Sequence, residues 1–203
     1  MSNFPKAMGH PRLLLTGFYP FSNFTENISK MIVDEISTRG IDGVDIIPFI
    51  LTVDQNGSML PSQIIGGNEN FSAVLLLGFS YDSDVIRIEI IGKNEYKMRI
   101  PDNSGRRIEK GPIIENGPVE ILTNSPISTI ELAIGESDFV SWSRDAGGFV
   151  CNETYFRTLM VVSNSQEPNT PVLFVHLPDK ETVPLDLQLE LVMKISKCLC
   201  GII

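Results

Sequence analysis

Apolar positions along the chain fall into short hydrophobic runs separated by stretches with a helical period. Arg12 to Thr16 (Arg-Leu-Leu-Leu-Thr) predicts a buried first strand, and Gly17-Phe18-Tyr19-Pro20-Phe21 turns away from it. Asn27 or Ser29 can cap a helix whose apolar face holds Ile32, Val33 and Ile36, ending near Gly40. Val44 to Val53 predicts a strand that Pro48 confines to a sheet edge or a bend. Between Asp54 and Asn70, Gly57, Pro61 and Gly66-Gly67 leave room for at most a short, imperfect helix around Ser62 to Ile65. Ala73 to Leu77 is an uninterrupted apolar run before Gly78, the pattern of a strand covered on both faces. Val85 to Ile91 and then Glu95 to Ile100 predict two more strands, as a hairpin or a bulged pair. Pro101 to Gly105 is turn chemistry, and Gly111 to Pro126 reads as a long loop. A short helix over Pro126 to Gly135, a strand over Phe139 to Ser143 and a helix over Cys151 to Val162 follow. Val172 to His176 is a last strand, and Leu185 to Cys200 a final helix with Leu185, Leu189, Val192 and Ile195 on one face.

Strands alternating with helices predict an α/β fold. The expected form is a three-layer α/β/α sandwich around a largely parallel, twisted sheet, built as one domain over residues 1–203. Ligands of such sheets bind at the carboxyl ends of strands. Gly17, Gly78, His176 and the turn from Gly147 to Cys151 all fall at or just after predicted strand ends, so they are expected on one rim.

Charge and cysteine content narrow the field. A net charge of −9, with no cluster of Lys and Arg, argues against a nucleic-acid partner, and Arg106-Arg107 reads as solvated surface. The three cysteines form an odd set without framework spacing, which argues against a secreted disulfide scaffold. Met1 to His10 lacks the apolar core of a signal peptide, and no apolar run reaches membrane-spanning length. A reducing cytoplasmic location, with no membrane partner, is the expectation. Cys198-x-Cys200 could be read as a metal or redox pair, but no histidine lies nearby, and no metal or cofactor is expected.

Cys151 carries the candidate chemistry. It opens a helix after the Gly147-Gly148 turn, where outward N–H groups and the helix dipole should lower a thiol's pKa and favour the thiolate. The ordinary reading of a lone cysteine is a small buried hydrophobe. A thiol nucleophile needs a base, and the chain holds only two histidines. His10 lies near the N-terminus, so His176, at a strand end before Leu177-Pro178, is the base by elimination; a structural strand-end histidine is the alternative. For the group that orients the base, Glu89 stands out inside an apolar strand. Period-two alternation puts it on the face of Arg87 and Ile91, which leaves open whether that face is solvent or interior.

Four blocks in order make the chain resemble the pyroglutamyl peptidase I (pyrrolidone-carboxylate peptidase) family of cysteine peptidases over nearly its whole length. They are Thr16-Gly17-Phe18-Tyr19-Pro20-Phe21, with Asn27 and Ser29 in step; Gly78 through Ile100-Pro101-Asp102-Asn103 to Gly105; Asp145-Ala146-Gly147 with Phe149-Val150-Cys151-Asn152; and Phe174-Val175-His176-Leu177-Pro178. The resemblance implies catalytic roles for Cys151, His176 and Glu89 and places Arg99 on the family's active-site arginine. It also implies a flat apolar slot lined by Phe18, Phe21, Ile100, Phe149 and Val150, suited to an uncharged lactam. The implied activity is thioester-mediated hydrolysis of the amide after an N-terminal pyroglutamyl residue, with such peptides as partners and a dimer or tetramer as the possible assembly. The chain departs from the family pattern at Ser22-Asn23 (usually Gly-Gly), at Tyr81-Asp82-Ser83 (where a Gly-Arg pair is usual) and at Ile90 (usually arginine). That drift near Glu89 frames the alternative, a catalytically weak relative kept for binding or assembly.

Overall fold

The structure is a computed structural model that describes residues 9–67, 69–165 and 170–203; most of the segment read against a leader, residues 1–8, lies outside them. The elements run β1 (Arg12–Phe18), α1 (Ile28–Arg39), β2 (Asp45–Leu51), α2 (Gln55–Ile65), β3 (Ala73–Phe79), β4 (Ile86–Glu89), β5 (Ile91–Lys93) and β6 (Glu120–Leu122). They continue as α3 (Ile127–Ile134), β7 (Val140–Ser143), α4 (Val150–Ser163), β8 (Val172–Leu177) and α5 (Leu185–Leu199).

Six strands form one sheet in the order β2-β1-β3-β8-β4-β7. The first four are mutually parallel, β4 runs antiparallel to β8, and β7 parallel to β4. Odd-numbered positions of β1 and β3 (Leu13, Leu15, Leu75, Leu77) join α1, α3 and α5 in one apolar cluster. Even-numbered positions (Leu14, Val74, Leu76) join α2 and α4 in the other. Two apolar faces on one sheet require helices on both sides, which gives the three layers. Pro48, which lacks an N–H, lies in β2 at the sheet edge, as its chemistry demands.

Four expectations are corrected. The helix around Ser62 to Ile65 is longer, spanning all of α2 with Pro61 inside it. Asp54 caps it by accepting from the Gly57 N–H at 2.9 Å, and Leu60, Ile64 and Ile65 pack onto the α4 cluster, so tertiary burial overrides the local breakers. Glu95 to Ile100 is not a strand. Tyr96 and Met98 do alternate inward, against Ile113 and Phe156, but Lys97 N–H bonds Gly148 and Met98 N–H bonds Ile108, so no regular ladder forms. The loop from Gly111 to Pro126 contains β6, which pairs antiparallel with β5 in a separate two-stranded sheet. Ile91 opens that second sheet, so it does not continue the Arg87–Glu89 face of β4.

The register aligns the strand ends. Thr16 pairs with Leu76, and Gly78 pairs with His176, so Phe18, Gly78 and His176 end neighbouring strands on the α2/α4 side. Gly78 is required there. A Cβ at this position would lie 2.7 Å from the Phe174 ring and 3.0 Å from Cys151 Sγ. Gly78→Ala should therefore lower stability by about 1–3 kcal/mol, read as a lower urea midpoint; an unchanged midpoint would contradict this packing.

Candidate active site

Four elements meet at the rim. Cys151 is in the first turn of α4, behind Phe149, which occupies the N-cap position with no side-chain cap bond. The leading N–H groups of that turn therefore have no capping side chain. Gly148 permits the tight entry: a Cβ there would fall 2.6 Å from the Lys97 backbone nitrogen. Asn152 ties the same turn to the segment after β5, accepting from Lys93 N–H at 3.0 Å and donating to the carbonyls of Lys93 (2.9 Å) and Glu95 (3.0 Å).

His176, the next-to-last residue of β8, is 4% exposed, and its ring centroid lies 4.7 Å from that of Phe174 with the rings tilted by 51°. Its Nδ1 lies 2.8 Å from Glu89 Oε1. Glu89 is fully buried, and Tyr155 of α4 donates its hydroxyl to the Glu89 carbonyl at 2.8 Å, fixing the strand end that carries it. The face that pattern left undecided is thus the interior one. With a carboxylate at Nδ1, the imidazole keeps its proton there and presents Nε2 as the acceptor. Cys151 Sγ lies over Gly78, the ladder partner of His176, so the three distant segments converge.

The thiol does not behave as its helix position predicts. Burial pushes the Cys151 pKa up to about 12, and the nearby Glu89 carboxylate pushes the same way. The Arg87 guanidinium and the backbone N–H pull it back without prevailing. Desolvation of a thiolate outweighs the helix dipole here. Although Cys151 as a residue is half-buried, this desolvation favours the thiol over the thiolate and leaves its ionisation to a base.

Phe18 and Val150 are buried in the core at this rim, and Phe21 and Phe149 face each other with ring centroids 6.3 Å apart. Ile100 and Arg99 are exposed on the following loop, which is tied to the rim by Asn103 N–H to Val53 (2.8 Å) and Asn103 Nδ2 to Pro20 (3.2 Å). The arginine at Glu89 is a different one, Arg87, with Nε 3.4 Å from Oε1. Among the described residues no group of three or more His, Cys, Asp or Glu is placed to hold a metal. Cys198 is buried in the α1/α3/α5 cluster.

A family model described as pyroglutamyl peptidase matches residues 11–191. The chain belongs to this family. It is 32% identical over 178 residues to the pyrrolidone-carboxylate peptidase of Thermococcus kodakarensis, covering 86% of this chain and 84% of that one. The crystal structure of pyrrolidone carboxyl peptidase from Thermus thermophilus superposes with a TM-score of 0.79 at 28% identity, covering 92% of this chain and 99% of the other. A mutant pyrrolidone carboxyl peptidase from P. furiosus shares the fold, with a TM-score of 0.84 at 22% identity over 94% and 98% of the two chains. No helix among the described residues is long and apolar enough to cross a membrane.

One ion cluster escaped sequence reasoning. Glu153, buried two residues beyond Cys151, accepts from Tyr96 Oη (2.6 Å), Arg106 Nη2 (2.7 Å) and Arg157 Nη2 (3.0 Å), and Arg106 Nε also reaches Asp102 Oδ2 at 2.8 Å. Arg106 is therefore not solvated surface but the link between α4 and the loop bearing Ile100. The i, i+4 spacings of Asp102–Arg106 and Glu153–Arg157 were the available signal. Burial alone would raise the Glu153 pKa, but the bonds from Arg106 and Tyr96 more than offset it and hold the carboxyl below its ordinary value of 4.5. Its contribution is thus present above that value and lost as pH falls through the depressed folded one. Glu153→Gln should cost about 3–5 kcal/mol near neutral pH. The gap between the urea midpoints of parent and variant should narrow as pH falls below 4.5; a gap independent of pH would contradict the ionic account.

Proposed function

We infer that the chain hydrolyses the amide bond after an N-terminal pyroglutamyl residue, through a thioester on Cys151. The observation that carries this reading is the 2.8 Å contact of His176 Nδ1 with buried Glu89, beside a thiol at a helix start. His176 Nε2 takes the Sγ proton, and the sulfur attacks the pyroglutamyl carbonyl carbon. The resulting oxyanion accepts hydrogen bonds from the unspent N–H groups of the first turn of α4, Cys151 among them. Collapse expels the peptide amine, which receives the proton from His176. Water, deprotonated by the same nitrogen, then attacks the thioester, releasing pyroglutamate and restoring the thiol. Because burial holds the sulfur as a thiol, proton removal by His176 belongs inside the attack step.

The ring-bearing end of the substrate carries no charge and no free amine, so it gains nothing from an acidic anchor. Phe21 and Phe149, with ring centroids 6.3 Å apart, are assigned together with buried Phe18 and Val150 and exposed Ile100 to the apolar wall that receives a flat lactam, with Arg99 supplying positive charge. The chain 1–203 acts as one catalytic domain on peptides with an N-terminal pyroglutamate, in the cytoplasm, where its three thiols remain reduced. A homodimer or homotetramer is the assembly that membership of the family suggests. A charge of −9 argues against nucleic acid as a partner.

Release of anilide from a pyroglutamyl-anilide reporter tests the reading. Parent protein should cleave it, prolyl-anilide should not be cleaved, and Cys151→Ala or Cys151→Ser should lose at least about 10³-fold in kcat/KM while remaining folded. Persisting activity in both variants would overturn the assignment of the nucleophile.

A further inference from the structure

Arg87 has no place in the reaction as described, yet it adjoins every group that does. The β4–β8 register sets it directly opposite His176, and Glu89, two residues on, shares its face. Its Nε lies 3.4 Å from the same Glu89 oxygen that meets the imidazole, and its Nη2 donates to Ser80 Oγ at 3.2 Å. That hydroxyl reaches on to Asp82 at 3.0 Å. Both Arg87 Nε and Glu89 Oε2 are buried without a hydrogen-bond partner. The guanidinium thus loses water at Nε without gaining a bond there, and what it offers Glu89 is charge.

We propose that Arg87 is a positioning residue that neutralises the buried Glu89 carboxylate, leaving His176 free to accept the Cys151 proton. The proposal rests on the reading of Cys151 and His176 given above. A buried carboxylate whose sole cationic partner is an imidazole favours the imidazolium, which cannot act as a base. A permanently charged arginine removes that bias. The same guanidinium favours the thiolate, so removing it displaces base and nucleophile in one direction. Among the described residues of β5, β6 and α2, which pack against α4, no other charge is free to compete. The β5 residue Lys93 is paired with Asp145, the β6 residue Glu120 with Arg144, and α2 carries no charged side chain.

The test is the pH dependence of Cys151 alkylation by iodoacetamide, located by mass spectrometry and read beside the pH profile of kcat/KM. Arg87→Met should move the acid limb of both upward by about one unit, a tenfold loss of rate below the limb. Arg87→Lys, which keeps a charge, should stay within a few tenths of the parent. An unmoved limb in a folded Arg87→Met protein overturns the proposal, as does an equal displacement in Arg87→Lys. If Arg87→Met does not fold, Arg87→Gln, which can still bond Ser80, decides by the same criterion. Alkylation needs no turnover, so a parent that titrates as described but releases no pyroglutamate overturns the functional reading and leaves the Arg87 result standing.

Discussion

A carboxylate taken wholly out of water must find its compensation inside the protein, since an uncompensated one costs of the order of several kcal/mol. Glu89 meets that condition through His176 at 2.8 Å and Arg87 at 3.4 Å, both on one oxygen. The compensation fixes the imidazole as well as the charge. Once Nδ1 is committed to Glu89, only Nε2 is left to face the thiol, and the ring cannot rotate without stranding the carboxylate. A burial penalty is thus converted into an orientation.

The surroundings hold that pair and the sulfur in register. Tyr155 spans from α4 to the Glu89 carbonyl, so the helix that carries Cys151 also anchors the strand that carries the acid. Asn152 and Glu153, the next two residues of that helix, fasten its start to the segment after β5 and to the loop with Asp102 and Arg106. Gly78 leaves space for both the Phe174 ring and Sγ, which lets helix and sheet approach closely enough for thiol and imidazole to share a rim. Drift at Tyr81-Asp82-Ser83 and Ile90 leaves these contacts in place, because none of them uses those side chains.

Much of this was legible in the sequence. Continuous apolar runs marked the buried parallel strands, Pro48 marked the edge, and the positions of Gly78, His176 and the turn before Cys151 at strand ends pointed to one rim, whereas the face of Glu89 stayed open. What escaped was decided by contacts distant in sequence. The α2 breakers are overruled by packing on α4, and Tyr96 and Met98 alternate like a strand while their hydrogen bonds go to loops. Arg106 looked like surface because its partner Glu153 lies 47 residues away. The thiol's pKa was misjudged because the helix start is visible in a sequence and the desolvation around it is not.

The tautomer of His176 bears most directly on the central contact. The chain has only two histidines, so ¹⁵N-detected NMR of the imidazoles can be assigned with a single His10 variant. The account predicts that at neutral pH His176 carries its proton on Nδ1, with a downfield, slowly exchanging resonance that is lost in Glu89→Gln. A proton on Nε2, or a ring averaging between tautomers as in a free imidazole, would contradict it.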